Sequence, residues 1–236
     1  MSNLVIDLDA RLRAMADPDE AATAAKYYDS KGPFLGIRPD MLQLAATEIS
    51  EEWTSNGVWD GGSEAVTALW GYHTHEHRLL AVYLLARSPK PFTTAIWDQG
   101  IRWLDETDNW EIVDAIAVGL LGEMVVADRK RIDELKLWLN SDNFWRQRAA
   151  VMAMLPLNTG GRIHTAETFD MCRPLMLATE PHVRTAVAWV IREAGAVAPE
   201  ATAEFLMPYK FKVVNSLLRE AARKLPRHLE RSIVGG

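Results

Sequence analysis

Apolar residues return along this chain every three or four positions. Leu4, Leu8 and Leu12 share one face, as do Leu42, Ala45, Ala46 and Ile49, and this spacing predicts amphipathic helices. Asp17-Pro18, Arg38-Pro39, Ser88-Pro89 and Glu180-Pro181 each predict a break followed by a new helix. Proline interrupts an existing helix but suits the first turn of the next one. No stretch alternates apolar and polar residues between hairpin turns, so strands are not expected and the fold class is all-α. Glycine clusters at Asp60-Gly-Gly-Ser63 and Thr159-Gly-Gly-Arg162 predict loops, since neither extends into a nucleotide-binding pattern.

Five segments resemble one another: Arg78–Ala86, Asp114–Gly122, Arg148–Pro156, Thr185–Glu193 and Arg219–Leu225. Their first residues lie 36, 34, 37 and 34 positions apart. Other amphipathic stretches, such as Ile132–Leu139 and Ala166–Leu177, fall between them. A helix-pair repeat of this period predicts an α-solenoid of HEAT-like antiparallel pairs, forming a single domain over residues 1–236. Equivalent positions of stacked repeats line one face, so Asp114, Arg148 and Thr185 are expected in a row. Trp110 precedes Asp114 by four residues and Trp189 follows Thr185 by four, a spacing that keeps side chains on one helix face. Two indoles, a carboxylate and a guanidinium are therefore expected on a common concave wall.

Composition narrows the class. Hydrophobic residues make up 48% and charged residues 25%, a globular balance. The apolar run Ala115–Gly122 is far too short to span a bilayer. The first residues are acidic and show no basic start followed by an apolar stretch, so a soluble, intracellular protein is expected. The single cysteine, Cys172, excludes an internal disulfide and a cysteine-based zinc cage. A net charge of −6 argues at first against a nucleic-acid partner. Its distribution is uneven: residues 1–118 hold 9 Lys and Arg against 19 Asp and Glu, and residues 119–236 hold 17 against 13. A basic back half permits a polyanion to bind there, and an unevenly charged solvated surface accounts for it equally well.

Six pieces of sequence, in order, carry a resemblance to a known family: Ala25-Lys-Tyr27, Phe34-Leu-Gly-Ile-Arg-Pro39, Asn109-Trp-Glu-Ile-Val-Asp114, Ser141-Asp-Asn-Phe-Trp-Arg-Gln-Arg-Ala-Ala150, Ala188-Trp-Val-Ile-Arg-Glu193 and Arg219-Glu-Ala-Ala-Arg-Lys224. With these, the chain resembles the AlkD-type DNA alkylation repair glycosylases across nearly its whole length. The resemblance implies an active site of Trp110, Asp114, Arg148 and Trp189. Asp114, Trp110 and Trp189 would be catalytic, and Arg148, Arg38, Tyr27 and Arg192 would contact DNA. Arg38 stands where an uncharged polar residue would also fit the pattern, which suggests tuning of backbone contact.

The implied chemistry suits these residue types. Alkylation at N3 or N7 makes a purine cationic and weakens its bond to deoxyribose, and cleavage then builds positive charge on the sugar. Asp114 would stabilise that charge and orient water. Trp110 and Trp189 would hold the cationic nucleotide by cation–π contact, and Arg148 would grip a phosphate. Without the resemblance, Asp114 reads as a helix-surface acid, the tryptophans as core and Arg148 as a salt-bridge partner. The family also implies that the base need not be flipped into a deep pocket, and that the DNA backbone lies in a concave groove. No lysine occupies a catalytic position, so lyase chemistry is not expected. His73-Thr-His-Glu-His77 reads as a polar helix start, because residues two apart on a helix point away from each other.

The expected protein is thus a monofunctional glycosylase for cationic N3- and N7-alkylated purines in double-stranded DNA. It needs no cofactor or metal, does not associate with membranes, is a monomer, and works in the cytoplasm with the nucleoid. Three alternatives remain: a protein-binding scaffold, a catalytically silent relative that binds branched DNA, and a glycosylase for bulky natural-product adducts.

Overall fold

The computed structural model describes residues 3–28 and 32–235, apart from the side chains of residues 60 and 61. No strand occurs among the described residues, so the fold is all-helical. The chain divides into two compact units: Met1–Asp98 with Thr107–Ala115, and Gln99–Glu106 with Ile116–Gly236.

The first unit contains α1 (Asn3–Ala14), α2 (Pro18–Tyr28), α3 (Pro39–Ser55), α4 (Trp59–Trp70), α5 (His75–Ala86), the start of α6 (Thr94–Asp105) and the short α7 (Trp110–Asp114). Helix α5 is its centre. Leu79, Leu80, Ala81, Val82, Leu84 and Leu85 are all buried, because α1, α3, α4 and α7 pack around it. Truncating one of these leucines to alanine removes ~2–5 kcal/mol, the usual cost of a core cavity. Pro18, Pro39 and Pro181 each open a helix as expected, whereas Ser88-Pro89 follows the end of α5 and no helix begins there. The first glycine cluster departs from expectation. Residues 60–63 lie in α4 and not in a loop. A Cβ on Gly62 would lie 2.7 Å from the Trp53 ring, so glycine serves here to seat an indole against a helix. The second cluster does turn, with Gly160 and Gly161 at φ +60° and +82°.

The second unit carries α8 (Glu123–Ala127), α9 (Arg131–Trp138), α10 (Phe144–Met152), α11 (Thr165–Cys172), α12 (Pro181–Val197), α13 (Pro199–Leu206), α14 (Asn215–Ala222) and α15 (Arg227–Val234). The repeat segments beginning at Arg148, Thr185 and Arg219 fall on α10, α12 and α14, which pack successively on one another. Helices α9, α11, α13 and α15 pack beside them, giving helix pairs of the kind the repeat predicts. The segment Ala115–Gly122 was expected to be an ordinary helix and instead forms π-helical turns. A Cβ on Gly122 would lie 2.9 Å from both the Ala153 carbonyl oxygen and Pro156 Cγ. The backbone therefore packs closer there than any side chain would allow.

Candidate active site

In the first unit, Asn109 caps α7 by accepting the Glu111 N–H at 2.9 Å. Trp110, Glu111 and Asp114 follow on this short helix. Asp114 is only 9% exposed and directly precedes the π-helical turns. Glu111 Oε2 accepts the His75 Nε2–H at 2.9 Å and also the Tyr28 hydroxyl. Burial, followed by the hydrogen bond and charge of Glu111, raises the Tyr28 phenol above its usual range, so the hydroxyl remains a donor. The Tyr28 ring stacks on Phe34 at 5.7 Å between centroids and lies 5.4 Å from Trp110. Tyr27 is 70% exposed and meets Trp110 edge-on at 6.2 Å.

A cavity of about 160 Å³ adjoins these residues, lined by Tyr27, Tyr28, Phe34, Arg38, His75 and Glu111 among others. One wall is the 35–37 segment, held by Glu76 at the start of α5. Its Oε2 accepts the Leu35 N–H at 2.9 Å, and its Oε1 accepts those of Gly36 and Ile37 at 2.8 and 3.3 Å. Arg38 precedes α3, is exposed and lies 3.5 Å from Asp40. His77, fully buried, donates its Nε2–H to Asp9 Oδ1 at 2.9 Å, and burial holds its pKa below the ordinary histidine value despite that carboxylate. The histidine-rich segment thus anchors the fold, and no cluster of three or more potential metal ligands occurs among the described residues.

In the second unit, Arg148 on α10 is 3% exposed, and its Nη1–H donates to the His182 carbonyl oxygen at 2.6 Å. This joins α10 to the first turn of α12. Trp189, half-buried on α12, has the Arg192 guanidinium 5.4 Å from its ring centroid. Arg192 also pairs with Glu193 and with Glu220 of α14, and Lys224 pairs with Glu193. Burial raises the Glu193 carboxyl, but hydrogen bonds from Lys224 and Arg192 outweigh it and hold the group below its usual range. Other cations of the basic half are paired too, Arg129 with Glu167 and Arg146 with Asp105.

Among the residues singled out from the sequence, the structure joins Tyr27 to Trp110 and, around the cavity, Tyr27 to Arg38. It also places Arg192 over Trp189. Sequence reasoning missed Glu111. Its signal was present, a second acid three residues before Asp114 and therefore on the same side of one helical turn.

The helix-pair architecture defines the class: an all-helical repeat protein with an acid–aromatic cluster on a short helix. The sequence model of the family described as DNA alkylation repair enzyme matches residues 8–225, and the chain belongs to that family. Its fold is shared with a solved "Predicted DNA alkylation repair enzyme from Enterococcus faecalis" at a TM-score of 0.72 and 17% identity, over 90% of this chain and 98% of that one. It is also shared with AlkD2 from Streptococcus mutans at a TM-score of 0.60 and 16% identity, over 94% and 97% of the two chains. No curated protein matches the chain. Among the described residues, no helix is long and apolar enough to cross a membrane.

Proposed function

We propose that this protein is a monofunctional DNA glycosylase that hydrolyses the N-glycosidic bond of cationic N3- or N7-alkylated purines in duplex DNA. The observation that supports it is the nearly buried Asp114, on a short helix that begins at the half-exposed Trp110, in a chain of the DNA alkylation repair family. Cleavage sends the bonding electron pair to the purine, which discharges it and leaves positive charge on the sugar. Asp114 stabilises that charge and orients the water that adds at C1′, leaving an abasic site. Trp110, with Tyr27 beside it, supplies a face for the cationic nucleotide. Trp189 is the remaining proposed catalytic residue, and Tyr27, Arg38, Arg148 and Arg192 are the proposed DNA contacts.

Single-turnover release of N7-methylguanine tests this. Asp114→Asn keeps size and polarity but removes charge, so excision should fall ~10²–10³-fold while duplex binding survives. Equal rates at saturating enzyme would remove Asp114 from catalysis. Two observations favour a second reading, a catalytically silent relative, because side chains that the excision reading uses already have partners within the protein. Arg148 is buried against the His182 carbonyl, and the face of Trp189 already carries Arg192. Wild-type protein that binds duplex but releases no base would decide for it.

A further inference from the structure

Two of the arginines proposed to meet DNA already have partners inside the second unit. Arg148 donates to the His182 carbonyl, and Arg192 pairs with Glu193 and Glu220. Cations without such ties lie towards the end of the chain. Residues 207–236 hold 7 Lys and Arg against 2 Asp and Glu. Lys212, Arg219 and Arg227 are exposed, and among the described residues none of them pairs with an acid. A phosphate can reach these side chains without breaking an ion pair, which favours binding to a polyanion.

Lys212 follows an aromatic residue that the fold turns outward. Phe211 is 91% exposed, against 7% for Phe205 six residues earlier. The loop that carries it is fixed. A 3-10 turn at Met207–Tyr209 precedes it, and the Lys212 N–H donates to the Tyr209 carbonyl oxygen at 2.9 Å. Lys210 Nζ donates to the Ser232 carbonyl oxygen of α15 at 2.8 Å. Neighbouring rings pack together, Phe169 on Phe205 and Phe205 beside Tyr209. Phe211 instead has the Lys210 ammonium 5.5 Å from its ring centroid. Val214, three residues on, lines a crevice with Arg184, Thr185 and Ala188 of α12, so the loop borders the helix that carries Trp189 and Arg192. A ring held in water between two lysines suits a surface that offers phosphates beside apolar sugar and base faces, and duplex DNA is such a surface. We infer that the loop from Lys210 to Val214 is a DNA-docking element, in which Phe211 packs against sugars and base edges and Lys212 contacts the adjacent phosphate. It rests on the proposed function for its ligand, duplex DNA, and not for base excision. No base has to leave the stack for this contact to form.

The test titrates the whole chain against undamaged labelled duplex over a series of salt concentrations, read by fluorescence anisotropy. Phe211→Ala should weaken binding about tenfold at every salt concentration, as for the loss of one aromatic contact to nucleic acid, and leave the salt dependence unchanged. Lys212→Gln should instead lower the slope of log affinity against log salt by about 0.9, the counterions of one phosphate. Both side chains are exposed, so neither replacement should disturb the fold. A second measurement keeps Phe211 in place of alanine: 4-fluorophenylalanine incorporated at position 211 should show a shifted fluorine resonance as duplex is added. Wild-type affinity in Phe211→Ala, an unchanged slope in Lys212→Gln, or an unmoved fluorine resonance would each overturn the loop as a DNA contact. If Phe211→Ala kept its duplex affinity but lost binding to phosphatidylserine vesicles, the loop would belong to a membrane surface instead. The duplex carries no lesion, so a protein that excises no base can still meet these expectations. A protein that releases N7-methylguanine, yet binds duplex equally well with and without Phe211, would fail here alone.

Discussion

Replacing Glu76 by glutamine changes one atom of a side chain that is 2% exposed, yet should loosen a whole wall of the cavity. In the native protein its carboxylate collects three backbone N–H groups, from Leu35 at 2.9 Å, Gly36 at 2.8 Å and Ile37 at 3.3 Å. Glutamine has one acceptor oxygen. Its best orientation leaves that oxygen with Gly36 and Ile37 and points the amide NH₂ at the Leu35 N–H, donor against donor. One charge-assisted hydrogen bond, worth ~1.5–3 kcal/mol, is then lost, and the other two become neutral and weaker. Relief from burying a charge returns part of this. The net expected loss is about 2–3 kcal/mol, a 30- to 150-fold change in the opening equilibrium. Denaturant unfolding followed by far-ultraviolet circular dichroism gives the global share, and amide hydrogen exchange at Leu35, Gly36 and Ile37 gives the local share. The reasoning fails if Glu76→Gln changes stability by less than ~0.5 kcal/mol and leaves exchange at those three amides unaltered.

Gly36→Ala should be at least as harmful, because φ is +80° and a Cβ would lie 2.0 Å from the Asp17 carbonyl oxygen; soluble, wild-type-like protein would contradict this. Stability should fall in two stages on acidification, readable from thermal melts across pH. The first begins as pH drops below ~6.5, because buried His77 has a folded pKa below its unfolded value and the unfolded chain takes the proton first. The second begins near pH ~4, because Asp9, Glu52 and Glu193 have depressed folded values, and their contribution, present above the unfolded pKa, is lost as each protonates. Flat stability between pH 7 and 5 would refute the first stage. Duplex affinity should fall steeply with salt, as phosphate contacts release counterions, and affinity independent of ionic strength would argue against a DNA partner.

What the sequence determined by itself is local and periodic. Apolar spacing and the prolines at 18, 39 and 181 sufficed for the helices they open, since capping and amphipathicity act within one or two turns. The recurring segments located α10, α12 and α14 because each repeat must bury the same face against its neighbours. The acid and tryptophan of α7 were legible from their spacing. Tertiary structure decided what those side chains meet. Arg148 and Arg192 looked alike as DNA-facing cations, but one is buried against the His182 carbonyl and the other lies over Trp189 between two glutamates. Adjacent Tyr27 and Tyr28 diverge as well: Tyr27 is exposed, and Tyr28 bonds to Glu111, 83 positions away. Gly62 was expected in a loop, and instead it admits an indole to close approach, as Gly122 admits a neighbouring backbone. Such contacts join residues far apart in sequence, and no local pattern encodes which pairs will meet.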